Sequence, residues 1–431
     1  MRKDLTQGGV YRNLVFFSLP YLLACFLQTF YGMADLFITG QFNGAAIISA
    51  VSIGSQVMHM LTVIVVGLAM GTTIVIGRAI GAKNDRALTA AVGTSIVCFA
   101  GLSLLLTAAL ILGVSPILTL LSTPPEAVAE ARHYLLICFA GIPFITAYNL
   151  LSSIFRGMGD TKSPMIFVGI AGVINLVMDY LLIGPMQMGA VGAALATVLS
   201  QAVSVFFALA ALRRFDLNIV LHRRDLHIDR SSFRTIFAIG VPIALQDGFV
   251  QIAFLFITVI ANQRGVNAAA AVGIVEKIIS FLFLVPSAML SAISTIVAQN
   301  AGAGQHRRGR QTLFAAMLIA VSFGLTVSLI VQCQAAPILS LFARNDAAVI
   351  TMALIISDPM FSTVSLPPSI FVFPAIFVLT ANHCCLLCKT QSLWSPSAFR
   401  GPISPRAISP TLFIRWGGPH HWALCFRQFS A

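Results

Sequence analysis

Four carboxylates lie inside long apolar runs of this chain: Asp35, Asp179, Asp247 and Glu276. A carboxylate at membrane depth is costly unless it is paired, protonated or hydrated, so such residues are candidates for function. Asp35 ends a stripe with Tyr31 and Gln28 at spacings of four and three residues, which places all three on one helix face. Asn175 precedes Asp179 by one helical turn and forms a second polar stripe with it.

Cation binding is the chemistry that best suits these two stripes. Two carboxylates and an amide that face one cavity can hold a proton, whose release depends on burial and neighbours, or a sodium ion, which favours oxygen ligands. The alternative is a polar seam, in which each stripe only holds helices together through hydrogen bonds. We favour ion coupling for Asp35 and Asp179 because polar seams normally use Ser, Thr or Asn.

Other residues in the apolar runs are candidates for substrate contact or for bending. We assign Asp247 and Glu276 to a substrate cavity, although Lys277 beside Glu276 leaves a structural charge pair open. Pro20 and Pro242 each remove a backbone hydrogen bond within a run and permit a kink. We interpret Pro20 as a hinge, whereas a static kink is an equally good interpretation for Pro242.

The elements that position these residues are membrane-spanning helices. The composition is 58% hydrophobic and only 9% charged, with a mean hydropathy of +0.92, which excludes an ordinary soluble globule. Each apolar run is long enough for the ~20 residues that cross a bilayer. The ten runs cover 14–39, 46–77, 88–113, 131–155, 164–184, 189–212, 233–260, 268–298, 312–336 and 347–372.

The loops between the runs alternate between basic and nearly uncharged. Seventeen Lys and Arg residues fall on one face, and only Arg132, Arg264 and Arg344 on the other. We predict a multi-pass protein of the inner (plasma) membrane. Because basic residues stay on the cytoplasmic side, its N-terminus should be cytoplasmic. The net charge of +12 then reflects topology and contact with anionic lipid rather than nucleic-acid binding.

The chain also matches itself at an offset of 221 to 222 residues, which places Pro20 on Pro242. Such an offset spans six runs and returns the chain to the same side, so the repeats are parallel. The predicted fold class is an all-α integral membrane protein of two parallel-repeat helical bundles, with about six and four spans. The predicted divisions are an N-lobe at 1–212, a cytoplasmic loop at 213–232, an incomplete C-lobe at 233–358, and the end of span ten with a tail at 359–431.

Duplication of this kind favours transport, in which two bundles rock to give alternating access, over a merely larger bundle. Under the offset Asp35 falls on Phe256 or Ile257, so the carboxylates are not duplicated. The denser polar constellation therefore lies in the first lobe.

Several motifs together resemble the multidrug and toxic compound extrusion (MATE) transporters over about residues 10 to 358. They are Tyr31-Gly32-Met33-Ala34-Asp35, the loop from Arg156 to Lys162 followed by Pro164, Asn175 to Asp179, and Ala298 to Gly304. The resemblance implies a two-lobed fold of twelve helices, six in each lobe. It also implies export of organic small molecules, bulky and often cationic ones, and this export would be driven by inward flow of protons or sodium.

The resemblance further suggests a role for each matching residue. Asp35, Asn175, Asp179 and Thr197 would form the ion-responsive network of the N-lobe, while Pro20 lets the first helix bend. Gln28 and Tyr31, and Asn149 on span four, would face the substrate cavity. We expect no cofactor apart from the coupling proton or sodium ion, and we expect the chain to act as a monomer.

The C-terminal end departs from the family pattern. The self-match stops near Asp358, beyond which there is no acidic residue, and spans eleven and twelve are missing. The tail holds all three tryptophans and half of the cysteines, so we interpret it as a shifted reading frame or a foreign end. Cys385 and Cys388 form a C-x-x-C, but the spacing to the downstream histidines fits no usual zinc pattern.

Three other classes remain as alternatives. A flippase for lipid-linked precursors would need a strongly cationic cavity, whereas Asp35 and Asp179 make this one acidic. An enzyme would need a nucleophile with a base or a metal cluster in the spans, and we interpret His59 as a packed polar residue; we therefore predict that the chain is not an enzyme. An inactive, truncated transporter is the third.

Overall fold

The computed structural model describes residues 4–121, 123–214, 225–263 and 266–334, and every regular element among them is helical. An apolar helix satisfies its own backbone hydrogen bonds, which is what a bilayer demands. In chain order the helices α1 to α11 are Val10–Phe42, Ala45–Gly81, Asp85–Leu112, Val114–Leu120, Pro125–Ala140, Ile142–Gly157, Lys162–Ile183, Gly189–Arg214, Arg230–Gln263, Val266–Gly302 and His306–Cys333.

Eight of these helices are long and apolar enough to cross a membrane, and the bent pair α5–α6 makes a ninth candidate span. These nine agree with the first nine apolar runs of the sequence. The fourth run is not one straight helix, because α5 and α6 meet at an angle of 48°. Pro143 accounts for the break, since it cannot donate the backbone hydrogen bond that would continue α5 into α6. The tenth run, 347–372, lies outside the described residues.

The surface and the interior of the bundle have the polarity expected in lipid. Large apolar side chains such as Phe37, Leu112 and Phe206 are exposed, whereas many polar ones, including Thr72, Ser95 and Asn300, are buried. A soluble protein shows the opposite distribution. The outer surface is therefore suited to hydrocarbon, and the polar residues face one another inside.

Helix α2 packs at backbone contact against α9 and α10, through glycines on all three helices. A Cβ added at Gly71 of α2 would lie 2.2 Å from the carbonyl oxygen of Ile236, and one added at Gly240 of α9 would lie 2.4 Å from that of Leu68. Small residues are what allow membrane helices to approach so closely. This contact lies towards the end of the bundle at which α1 begins and α2 ends.

Gln299 of α10 joins three separate parts of the chain at that same end. Its side-chain oxygen accepts a hydrogen bond from the backbone N–H of Leu5 at 3.2 Å, and its side-chain nitrogen donates to the carbonyl of Gly157 at 3.1 Å. Gln299 and Leu5 are both fully buried. A buried amide with both ends bonded fixes its neighbours firmly, because losing either bond leaves an unsatisfied polar group.

Asp229 is the residue immediately before α9, the first helix of the second set. Its carboxylate accepts a hydrogen bond from the N–H of Ser232 at 2.7 Å, and its own N–H donates to the hydroxyl of Thr94 at 2.9 Å. The first bond is an N-cap, and it lowers the pKa of this carboxyl. The second holds the start of α9 to α3.

Candidate transport site

Asp35 and Asp179 are both buried in the first set of helices, Asp35 on α1 with 6% of its surface exposed and Asp179 on α7 with none. The two carboxylates are close enough to interact electrostatically. Within the described residues, one oxygen of Asp35 and both oxygens of Asp179 accept no hydrogen bond. Two neighbouring buried carboxylates repel each other when both are ionised, and a bound proton or cation relieves that repulsion.

Asp35 faces the interior of the bundle rather than lipid. It interacts electrostatically with Tyr134 and Cys138, which lie one turn apart on α5. The hydroxyl of Tyr134 lies 3.1 Å from the hydroxyl oxygen of Ser55 on α2. The carboxylate therefore lies near α5 as well as near Asp179 of α7.

Asn175 and Thr197 differ in how much hydrogen-bonding capacity they leave available. Asn175 is 2% exposed, and its side-chain NH₂ donates no hydrogen bond to a described residue. The Thr197 hydroxyl donates to the carbonyl of Ala193 in its own helix at 3.0 Å. Asn175, one turn before Asp179, is thus the amide best placed to respond to a change in charge there.

Tyr31 connects α1 to two other helices. Its hydroxyl interacts with the side chains of Gln28 and Gln201, the latter on α8. Its ring lies against α7, where a Cβ added at Gly172 would be 3.2 Å from the ring. Gln28 is exposed, and Asn149 of α6 is buried, with its NH₂ donating to the carbonyl of Ile145 at 2.8 Å.

The other two acidic candidates belong to different helices, Asp247 to α9 and Glu276 to α10. Asp247 is half-buried, and one of its carboxylate oxygens would lie 3.1 Å from a Cβ added at Gly67 of α2. It interacts electrostatically with Tyr21 of α1, although α1 and α9 scarcely touch in the described part of the chain. Glu276 lies in α10, and its side chain is outside the described atoms.

Helix α1 is held on both sides of Pro20, by the last turn of α6 and by the segment that joins α6 to α7. The Thr161 hydroxyl donates to the carbonyl of Phe17 at 2.9 Å, and the bond is buried. The guanidinium of Arg156 lies 5.1 Å from the centre of the Tyr21 ring, within cation–π range. A movement of α1 about Pro20 would therefore be felt at both contacts.

Sequence reasoning assigned Arg156 to a cytoplasmic loop, but the structure places it in the last turn of α6 with 4% of its surface exposed. A polar stripe in the sequence could have revealed this position. Asn149, Ser152 and Ser153 precede Arg156 at helical spacing, which puts all four near one helix face.

We expect Thr161→Val to destabilise the protein by about 1 kcal/mol, because it removes a buried hydrogen bond that joins Thr161 to α1. Thermal unfolding in detergent measures the effect. Thr89→Val is the matched control, since Thr89 is half-buried and its hydroxyl donates only to its own helix. Equal melting temperatures for the two variants would show that the Thr161 bond does not hold α1.

Comparison with known proteins places this fold. A family model described as MatE matches residues 20–181 and again 242–380. The two matched segments start 222 residues apart, which agrees with the internal repeat found at Pro20 and Pro242. The second segment continues past Asp358, where the self-match stops.

Relatives and solved structures agree with the family model. The chain is 29% identical over 305 residues to the "Probable multidrug resistance protein YpnP" of Bacillus subtilis (strain 168), covering 71% of this chain and 68% of that protein. It is 27% identical to the "FAD transporter" of Shewanella oneidensis (strain ATCC 700550 / JCM 31522 / CIP 106686 / LMG 19005 / NCIMB 14063 / MR-1), covering 80% of this chain and 77% of that one.

A crystal structure of MATE in complex with MaL6 superposes with a TM-score of 0.77 at 23% identity, covering 90% of this chain and 85% of that chain. A match of this quality at this identity shows that the two chains share the two-bundle fold. Two matches to one family model cover well over half of the sequence, and the helices, the repeat and the buried acids all suit a multi-pass membrane transporter. The chain therefore belongs to the MatE family.

Proposed function

We propose that this protein exports organic compounds, including drugs and toxic compounds, in exchange for protons or sodium ions by alternating access. The observation that carries the proposal is the pair of buried carboxylates on α1 and α7. Asp35 and Asp179 interact with each other, and three of their four oxygens accept no hydrogen bond from the described residues. Costly groups in this state are typical of ion pathways in transporters.

The coupling we propose acts through α1. A proton or a sodium ion bound at Asp35 and Asp179 removes a buried charge and changes how α1 packs against α7. Pro20 lets α1 bend, and the contacts on either side of it couple that bend to Arg156 of α6 and to Thr161. The ion-bound and the substrate-bound protein then differ in the conformation of α1.

The substrate class rests on the relatives and on charge. The curated relatives include proteins named for multidrug resistance and one named for FAD, so related proteins are assigned compounds of very different charge. The half-buried carboxylate of Asp247 on α9 gives this chain a partner for a cationic group. We place the protein in the plasma membrane as a monomer with a cytoplasmic N-terminus, and with no cofactor besides the coupling ion.

Transport by the full chain in liposomes tests the proposal. The purified protein is reconstituted in phosphatidylcholine vesicles, and the movement of rhodamine 123 is followed under an imposed proton gradient and, separately, an imposed sodium gradient. We expect one gradient to drive the dye against its concentration. Dye movement that neither gradient affects would contradict ion-coupled export, and vesicles without protein give the background.

A further inference from the structure

The guanidinium of Arg156 is buried inside the bundle. The residue lies in the last turn of α6, from which a long basic side chain could extend outward to the membrane surface. Side chains of a helix lean toward its N-terminus, and Arg156 follows that direction into the bundle. Its guanidinium lies over the Tyr21 ring and interacts electrostatically with Cys25 and Tyr148.

The guanidinium lacks a counter-charge there. One terminal nitrogen donates to the hydroxyl of Ser153 at 2.7 Å, and Nε donates to no described residue. Within the described residues, no Asp or Glu is paired with it. A buried charge without an ionised partner is strongly unfavourable, so the site is built to receive an anion at some stage of the protein's work.

The neighbours of Arg156 on α1 are not fully buried. Tyr21 and Cys25 are half-buried, and the half-buried Asp247 of α9 interacts electrostatically with the same Tyr21. Tyr21 is thus in contact with a positive group and within electrostatic reach of a negative group on another helix. An aromatic compound that carries a positive and a negative group would complement all three.

We propose that Arg156 is a binding subsite for an anionic oxygen group, a carboxylate or a phosphate, of the transported compound. This rests on the proposed export function and assigns to its substrates compounds that carry an anionic group, zwitterions among them. The guanidinium supplies a planar set of N–H donors that matches carboxylate and phosphate oxygens. Tyr21 stacks against the aromatic body, and Asp247 accepts the cationic group.

Two dyes that differ only at one carboxyl group test the subsite. Rhodamine 110 carries a free carboxylate, whereas rhodamine 123 is its methyl ester and lacks that negative charge. We expect Arg156→Gln to weaken the binding of rhodamine 110 by about tenfold or more, in line with the loss of one charge-assisted hydrogen bond. We expect the binding of rhodamine 123 to change by less than about twofold.

Arg132→Gln is the matched control, because Arg132 is exposed on α5 and neither dye should bind differently. Binding is measured by fluorescence polarisation of the full chain in phosphatidylcholine nanodiscs, and again with added phosphatidylglycerol. If phosphatidylglycerol competes with rhodamine 110 and the competition disappears in Arg156→Gln, the anion is a lipid headgroup and the proposal is overturned. Equal losses for both dyes would also overturn it.

A measurement without substitution at Arg156 covers the case in which that variant does not fold. Cys25 is kept as the only cysteine, and its labelling by a maleimide is followed with either dye present. We expect rhodamine 110 to protect Cys25 at lower concentration than rhodamine 123, and equal protection overturns the subsite. Binding of rhodamine 110 through Arg156 without gradient-driven transport would contradict export and leave the subsite supported, so the two failures are distinguishable.

Discussion

Replacing Asp179 by Asn should reduce gradient-driven export by at least about tenfold, and Asp35→Asn should do the same. A tenfold loss corresponds to about 1.4 kcal/mol, less than the range over which buried charges alter the free energy of their surroundings. Asparagine keeps the size and the hydrogen-bonding shape of the side chain but cannot take up a proton or supply a negative charge to sodium. Reconstituted dye transport under the effective gradient measures the change.

The same variants distinguish ion coupling from a polar seam. Removing one of two repelling buried charges should leave the melting temperature unchanged or raise it. A residue that only holds helices together would behave in the opposite way, with a lower melting temperature and transport preserved in whatever protein remains folded. That second pattern would contradict a role of these residues in ion coupling.

The control for this pair is Glu126→Gln, since Glu126 is exposed in the first turn of α5. Transport by that variant should stay within about twofold of the parent, as expected for an exposed surface charge. A loss as large as that of Asp179→Asn would mean that the assay responds to acidic residues in general.

The sequence predicted the spans and the duplication well because both depend on hydrophobicity averaged over many residues. Nine apolar runs correspond to the nine candidate spans, and the offset that joins Pro20 to Pro242 reappears in the two family matches. The bend between α5 and α6 was not predicted. One proline near the middle of a run barely changes the average hydrophobicity, although it removes a hydrogen bond at that point.

Residues that are costly to place in lipid were easier to find in the sequence than residues whose role depends on the direction of the side chain. Asp35 and Asp179 stand out from apolar neighbours, and the structure places them near each other. Arg156 was hidden because a basic residue at the end of a span normally marks the cytoplasmic face. Whether such a side chain turns outward or inward is decided by packing around Ser153 and Tyr21, which no count of charges contains.

Gly71→Ala should destabilise the protein strongly for a change of a single methyl group. Its Cβ would lie 2.2 Å from the carbonyl oxygen of Ile236 on α9, so α2 and α9 must move apart. Overpacking of this kind costs about 1–3 kcal/mol, which exceeds the ~1 kcal/mol that alanine gains over glycine in a helix. We expect the melting temperature to fall by several degrees, measured by thermal unfolding of the full chain in detergent.

Gly101→Ala supplies the comparison, because Gly101 lies inside α3 and a Cβ there would meet nothing within 4 Å. The helical preference for alanine acts alone at that position, so the melting temperature should stay the same or rise. If Gly71→Ala behaved like Gly101→Ala, the close approach of α2 to α9 would not exist in the membrane protein.

A second test uses Gly240→Ala, which obstructs the same contact from α9, where a Cβ would lie 2.4 Å from the Leu68 carbonyl oxygen. Once either methyl group has separated the helices, the other should cost little, so the double variant should be clearly less destabilised than the sum of the two single variants.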